Sequence, residues 1–175
     1  MFGLDYKHAG EWLHKAAAQG LDVAQFDLAV MCYEGKGFRR DYGVALQWFR
    51  KAADQGQADA MYNIGYMYEQ GHGVTQSRQQ AMDWYAKAAK TGSVLAQGNL
   101  AKLAMDSKHY DIALQWLKLA VKQNLPNAQY NMGVLYANGW GVTQSRELAL
   151  KWFLMASDQG YEPAKEALRS MGVGI

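Results

Sequence analysis

An all-α fold, a solenoid of antiparallel helix pairs, is predicted by three recurring features of the chain. A tryptophan returns at Trp12, Trp48, Trp84, Trp116 and Trp152, at spacings of 36, 36, 32 and 36 residues. An alanine phrase alternates with it, starting at Ala24, Ala60, Ala96 and Ala128. A glycine turn joins the two, as Gly35-Lys36-Gly37-Phe38, Gly71-His72-Gly73-Val74 and Gly139-Trp140-Gly141-Val142. Self-similarity at about this interval marks a stacked repeat architecture, in which each unit buries its apolar face only against its neighbours.

Each element follows from its residues. In the first type of helix, Ala60, Ile64, Met67 and Tyr68 recur at i, i+4, i+7 and i+8, one apolar face of an α-helix. Ala29, Gly65 and Gly133 are small where a neighbour must come close. The leading glycine of each turn suits a left-handed helix end, and the hydrophobic residue after the second glycine can fold the loop onto the core. The second type of helix carries Ala81, Trp84, Tyr85, Ala88 and Ala89 on one face, and the tryptophan series reads as core. It ends at Gly56, Gly92 or Gly160, with Asn124 once in that place, asparagine being the next-best left-handed residue.

Laid along the chain, this register gives a lone second-type helix at 5–20. Repeats follow at about 21–56, 57–92, 93–124 and 125–160, and a C-terminal helix lies at 161–172, the whole of 1–175 reading as a single array. Pro163 is tolerated in the first turn of that last helix. The third repeat is four residues short, because Ser107-Lys108-His109 replaces the glycine turn.

These phrases resemble the Sel-1-like repeat family, relatives of the tetratricopeptide repeats. Residues 60–92 follow the family pattern almost throughout, and the resemblance covers nearly the whole chain. Cys32 and Ala104 depart from it, standing where the pattern has the tyrosine kept at Tyr68 and Tyr136. The resemblance implies a right-handed α/α superhelix whose concave side binds another protein, in adaptors, scaffolds or toxin-neutralising immunity proteins. Many members are bacterial.

Other chemistries find little support. The net charge of +2 is too small for a nucleic-acid footprint. No apolar run is long enough to span a membrane. The glycine turns follow helices rather than strands and lack a Lys-Ser/Thr, so they do not read as phosphate loops. His8, His14, His72 and His109 lie in separate units without metal-ligand spacing. Cys32 sits at a core position and reads as a small buried hydrophobe. No catalytic residue, metal or cofactor is expected. No signal peptide is legible, and the array begins halfway through a repeat, so the residues could be a piece of a longer protein; the compartment stays open.

The expected binding surface is the face of the first-type helices turned away from the core stripe. It takes in Phe26 and Val30, then Tyr62, Asn63 and Tyr66, then Asn99 and Lys102, then Tyr130, Asn131 and Val134. Aromatics with polar tips bring contact area at low entropic cost. Asn63, Asn99 and Asn131 share one repeat position, and such a ladder of amides could bracket the backbone of an extended segment. The competing reading has Phe26, Tyr62 and Tyr130 packing between helices and the asparagines bonding to their own backbone. The expected partner is a protein or peptide; a toxin-neutralising immunity protein, a regulatory subunit and an enzyme are the alternatives.

Overall fold

The computed structural model describes residues 2–174, with side chains from His8 onward. Its described residues form ten α-helices and no strand: α1 (Phe2–Ala18), α2 (Asp22–Glu34), α3 (Tyr42–Asp54), α4 (Ala58–Gln70), α5 (Arg78–Lys90), α6 (Val94–Asp106), α7 (Tyr110–Ala120), α8 (Pro126–Asn138), α9 (Arg146–Asp158) and α10 (Glu162–Ser170). A 3-10 turn, Val121–Gln123, prolongs α7. Two compact units result, Met1–Ser93 and Val94–Ile175. In the first, each helix from α1 to α5 packs on the next; in the second, the same holds from α6 to α10.

The glycine turn works by four linked contacts. Gly35, Gly71 and Gly139 end α2, α4 and α8 in the left-handed region, at φ 76°, 73° and 70°. Val74 and Val142 fold inward and are half-buried against the core. Gln76 and Gln144 then donate from Nε2 to the carbonyls of Glu69 and Ala137, each at 2.8 Å. Ser77 and Ser145 finish the loop as N-caps, accepting from the amides of Gln80 and Leu148. The repeated Gly-Val-Thr-Gln-Ser-Arg hexapeptide, with the glycine two residues before it, is therefore a complete helix-to-helix connector. Asp41 takes the serine's place before α3, accepting from Val44 at 2.9 Å.

The core of the second-type helices sits one residue beyond the tryptophans, which corrects the expectation drawn from their spacing. Phe49, Tyr85, Leu117 and Phe153 are buried, whereas Trp48, Trp84, Trp116 and Trp152 are only half-buried and Trp12 is 70% exposed. The reason is geometric. Position 85 faces the partner helix of its own pair, where Gly65 leaves room: a β-carbon there would lie 2.7 Å from the Tyr85 ring. Gly133 makes the same space for Phe153. Trp48 and Trp84 instead lie at the edge under long side chains, Trp48 also against α1. Lys51 stands 3.9 Å over Trp48, Lys87 4.1 Å over Trp84, and the His14 ring meets Trp48 edge-on. Trp12 belongs to the first described helix, and among the described residues no second-type helix precedes it.

A buried amide clamp recurs as well, and sequence periodicity alone had not exposed it. Gln25, Gln97 and Gln129 are buried on α2, α6 and α8. Each accepts at Oε1 from a glutamine at the end of the following second-type helix: Gln55 at 2.8 Å, Gln123 at 3.3 Å and Gln159 at 2.8 Å. In the second repeat both partners are replaced together, by Met61 and Thr91. A buried amide left alone is costly, so the pair is kept or lost as a unit.

The third pair, α6 and α7, turns differently. Lys108 takes the left-handed conformation at φ 60°, and the amide of His109 closes on the carbonyl of Ala104 at 2.8 Å. No side chain caps the start of α7.

Candidate partner-binding surface

The ten residues expected to bind a partner lie on the first-type helices, five in each unit. In the first unit, Phe26 and Val30 are on α2, and Tyr62, Asn63 and Tyr66 on α4. In the second, Asn99 and Lys102 are on α6, and Tyr130, Asn131 and Val134 on α8. Only Tyr66 and Lys102 are exposed; the other eight are half-buried.

Three of the aromatics have a packing task. Phe26, Tyr62 and Tyr130 lie 5.7, 5.4 and 5.5 Å from the rings of Phe49, Tyr85 and Phe153, repeating one ring pair in three repeats. Tyr130 also meets Tyr161 at 5.5 Å. Asn63 donates from Nδ2 to the carbonyl of Asp59 at 2.8 Å, one turn back in its own helix. That occupies one donor of the amide, which has a second donor and an acceptor besides.

Around Tyr66 the surface has a built shape. His72, between the two turn glycines, stacks on Tyr42 at 4.8 Å with ring planes 5° apart. Its Nδ1 is 2.6 Å from the hydroxyl of Tyr33, and Tyr66 meets its edge at 6.2 Å. Burial pushes the Tyr33 hydroxyl up to about 12, helped by Tyr66 and Tyr42 and opposed by Arg40. Gly73 permits the stack, because a β-carbon there would lie 2.7 Å from that of Tyr42. In the second unit Trp140 stacks on Tyr110 in the same way, at 5.0 Å and 16°. Tyr33, Tyr42 and His72 were not among the expected site residues. Their signal was present in the sequence as a tyrosine that opens a second-type helix, at Tyr42 and Tyr110, followed 30 residues later by a ring between two glycines.

No three His, Cys, Asp or Glu side chains among the described residues are grouped so as to hold a metal ion. Cys32 is buried, and burial pushes its thiol up, with the Asp41 carboxylate adding to the effect. That disfavours the thiolate a nucleophile requires. Lys36 pairs with Glu34 at 2.7 Å, and Arg40 lies over the Tyr42 ring at 5.4 Å. No described helix is long and apolar enough to cross a membrane.

Comparison with known proteins places this arrangement. Sel1 repeats match at residues 3–21, 22–57, 58–93, 106–125 and 126–161. The unmatched stretch after 93 covers most of α6, in the pair that lacks the glycine turn. A protective antigen of uropathogenic Escherichia coli displaying an SLR fold is 29% identical, with a TM-score of 0.89 over 93% of this chain and 36% of the other. The chain thus spans about a third of that relative's length. A Sel1 repeat protein from Oxalobacter formigenes is 33% identical, with a TM-score of 0.79 over 94% of this chain and 69% of the other. An immunity protein from Pseudomonas aeruginosa is 26% identical, with a TM-score of 0.53 over 91% and 60%. No curated protein matches the chain. Sel1 repeats commonly mediate protein–protein interaction. With five stretches of the chain matching the repeat and the glycine turns, small-residue contacts and paired helices all present, the protein belongs to the Sel1 repeat family.

Proposed function

We propose that the chain is a non-enzymatic scaffold, one array of repeats that holds a partner protein or peptide against its first-type helices. The observation that carries this reading is Tyr66, exposed on α4 beside the stacked Tyr42 and His72 and the Tyr33 that bonds to His72. Rings already fixed by their neighbours lose little freedom on binding, which is why tyrosines dominate binding energy at interfaces. In the first unit Asn63 supplies an amide beside Phe26, Val30 and Tyr62; in the second, Asn99 and Asn131 do so beside Lys102, Tyr130 and Val134. A double variant, Tyr66→Ala with Asn131→Ala, tests it in a pull-down from the native host. A protein retained by the parent should be lost by about tenfold or more, while the melting temperature stays within error. Equal retention by both forms overturns the surface.

A second reading, a toxin-neutralising immunity protein, is favoured by the likeness to the Pseudomonas aeruginosa immunity protein. It calls for a whole folded partner. Size-exclusion chromatography of any captured complex separates the two readings: a stable stoichiometric assembly with a folded toxin favours neutralisation, and capture of an extended segment favours the scaffold.

A further inference from the structure

The second-type helices of the first unit bring unpaired cations into one open cleft. It has a volume of about 490 Å³, within the usual range of about 300–1,000 Å³ for a ligand site. Arg50 enters it from α3, and Lys87 and Lys90 enter from α5. No carboxylate pairs with any of the three among the described residues. Two of them are held by rings instead. Arg50 Nη2 donates to the Tyr68 hydroxyl at 3.1 Å, and Lys87 stands 4.1 Å over Trp84. Asp83, the carboxylate of the lining, is engaged by its own helix and accepts from Gln79 Nε2 at 3.0 Å. The lining thus carries three cations against one carboxylate.

The repeat architecture does not require this charge. At the same places thirty-six residues earlier stand His14, Lys51 and Asp54, and sixty-eight residues later Lys118, Met155 and Asp158. Both sets have an aspartate where the cleft has Lys90, yet the caps and packing of those pairs persist. We propose that this cleft binds an acidic segment of a partner protein, with its glutamate or aspartate side chains on Arg50, Lys87 and Lys90. A cleft dominated by one sign of charge focuses the field on a ligand of the other. Cations entering from two helices suit carboxylates spaced along a chain. Arg50 keeps free N–H donors beyond the one given to Tyr68, and a guanidinium already oriented can meet a carboxylate with two parallel hydrogen bonds. Gln80 offers an amide to the segment's main chain, and Ala86 with the Tyr68 ring gives its methylene groups an apolar wall. The cleft shares no residue with the surface around Tyr66, so the two stand or fall separately.

The test is a titration of the intact chain at low salt, followed by the Trp84 indole N–H resonance. Two probes are used, a capped Gly-Glu-Gly-Glu-Gly peptide and inorganic phosphate, with the Glu→Gln peptide as control. The glutamate peptide should shift the resonance saturably, and neither phosphate nor the control should. Arg50→Gln with Lys87→Gln should weaken the peptide by about tenfold or more. Lys118→Gln with Lys151→Gln removes the same charge from exposed side chains of the second unit and should leave the affinity within about twofold. All four side chains are exposed, so these variants keep the fold. Equal weakening by both pairs would show diffuse attraction to net charge and overturn the site. Saturation by phosphate at the peptide's affinity overturns the acidic segment as the occupant. Saturation by neither probe, or equal binding of the glutamine peptide, overturns the proposal.

Discussion

Tyr85 shows how one side chain carries a repeat. Its ring is fully buried, lies against the space left by Gly65 and touches Tyr62, and its hydroxyl donates to Glu69 Oε2 at 2.7 Å. Truncation removes the burial, opens a cavity and orphans a carboxylate contact. Tyr85→Ala should therefore cost about 3–5 kcal/mol. Trp84, its neighbour in sequence, is half-buried at the edge under Lys87, and Trp84→Ala should cost only about 1–2 kcal/mol. Urea melts of the two variants decide the matter, and equal losses would contradict the assignment of core and edge. The tryptophan is the more conspicuous residue in the sequence, yet its neighbour holds the pair together. Spacing identifies the repeat but cannot separate adjacent positions of a helix, which lie only about a hundred degrees apart around its axis.

Between elements, the connectors decide how firmly a pair is closed. The glutamine clamp ties α8 to the end of α9: Gln159 donates to Gln129, which is fully buried, and Gln129 donates in turn to Asn124 Oδ1 at 2.8 Å. Gln159→Ala strands the Gln129 carbonyl and should cost about 1–3 kcal/mol in a thermal or urea melt. A loss within error of zero would mean that water replaces the amide without penalty. In the third pair the strain is in the backbone. Lys108 sits at φ 60°, where a β-carbon is unfavourable and glycine is at ease. Lys108→Gly should stabilise by about 0.5–1 kcal/mol, and Lys108→Ala should bring no gain. Stabilisation by both would point to the lysine charge rather than its conformation. Asn124, the other left-handed non-glycine among the described residues, is better suited to its place and uses its side chain to hold Gln129.

At the scale of the chain, stability in a repeat array is a sum of local and nearest-neighbour contributions, so damage stays local. Tyr85→Ala should speed amide exchange across α4 and α5 while α8 to α10 keep their protection. Loss of protection throughout would show a single cooperative block. The repeat, its two kinds of helix, the glycine ends and the loop folded back on the core were all legible in residue order, because they rest on contacts within about 36 residues and on backbone preferences that glycine and asparagine declare openly. Of the candidate surface, the helices and their register were legible, but its occupancy was not. Phe26, Tyr62 and Tyr130 turn out to pack on the second helix of their own pair, and the nest around His72 joins residues 33, 42, 66 and 72. Periodicity says which face of a helix is apolar. How deep each side chain lies, and which rings stack or leave room for another, follows from volumes brought together across helices, and those are set only when the helices pack.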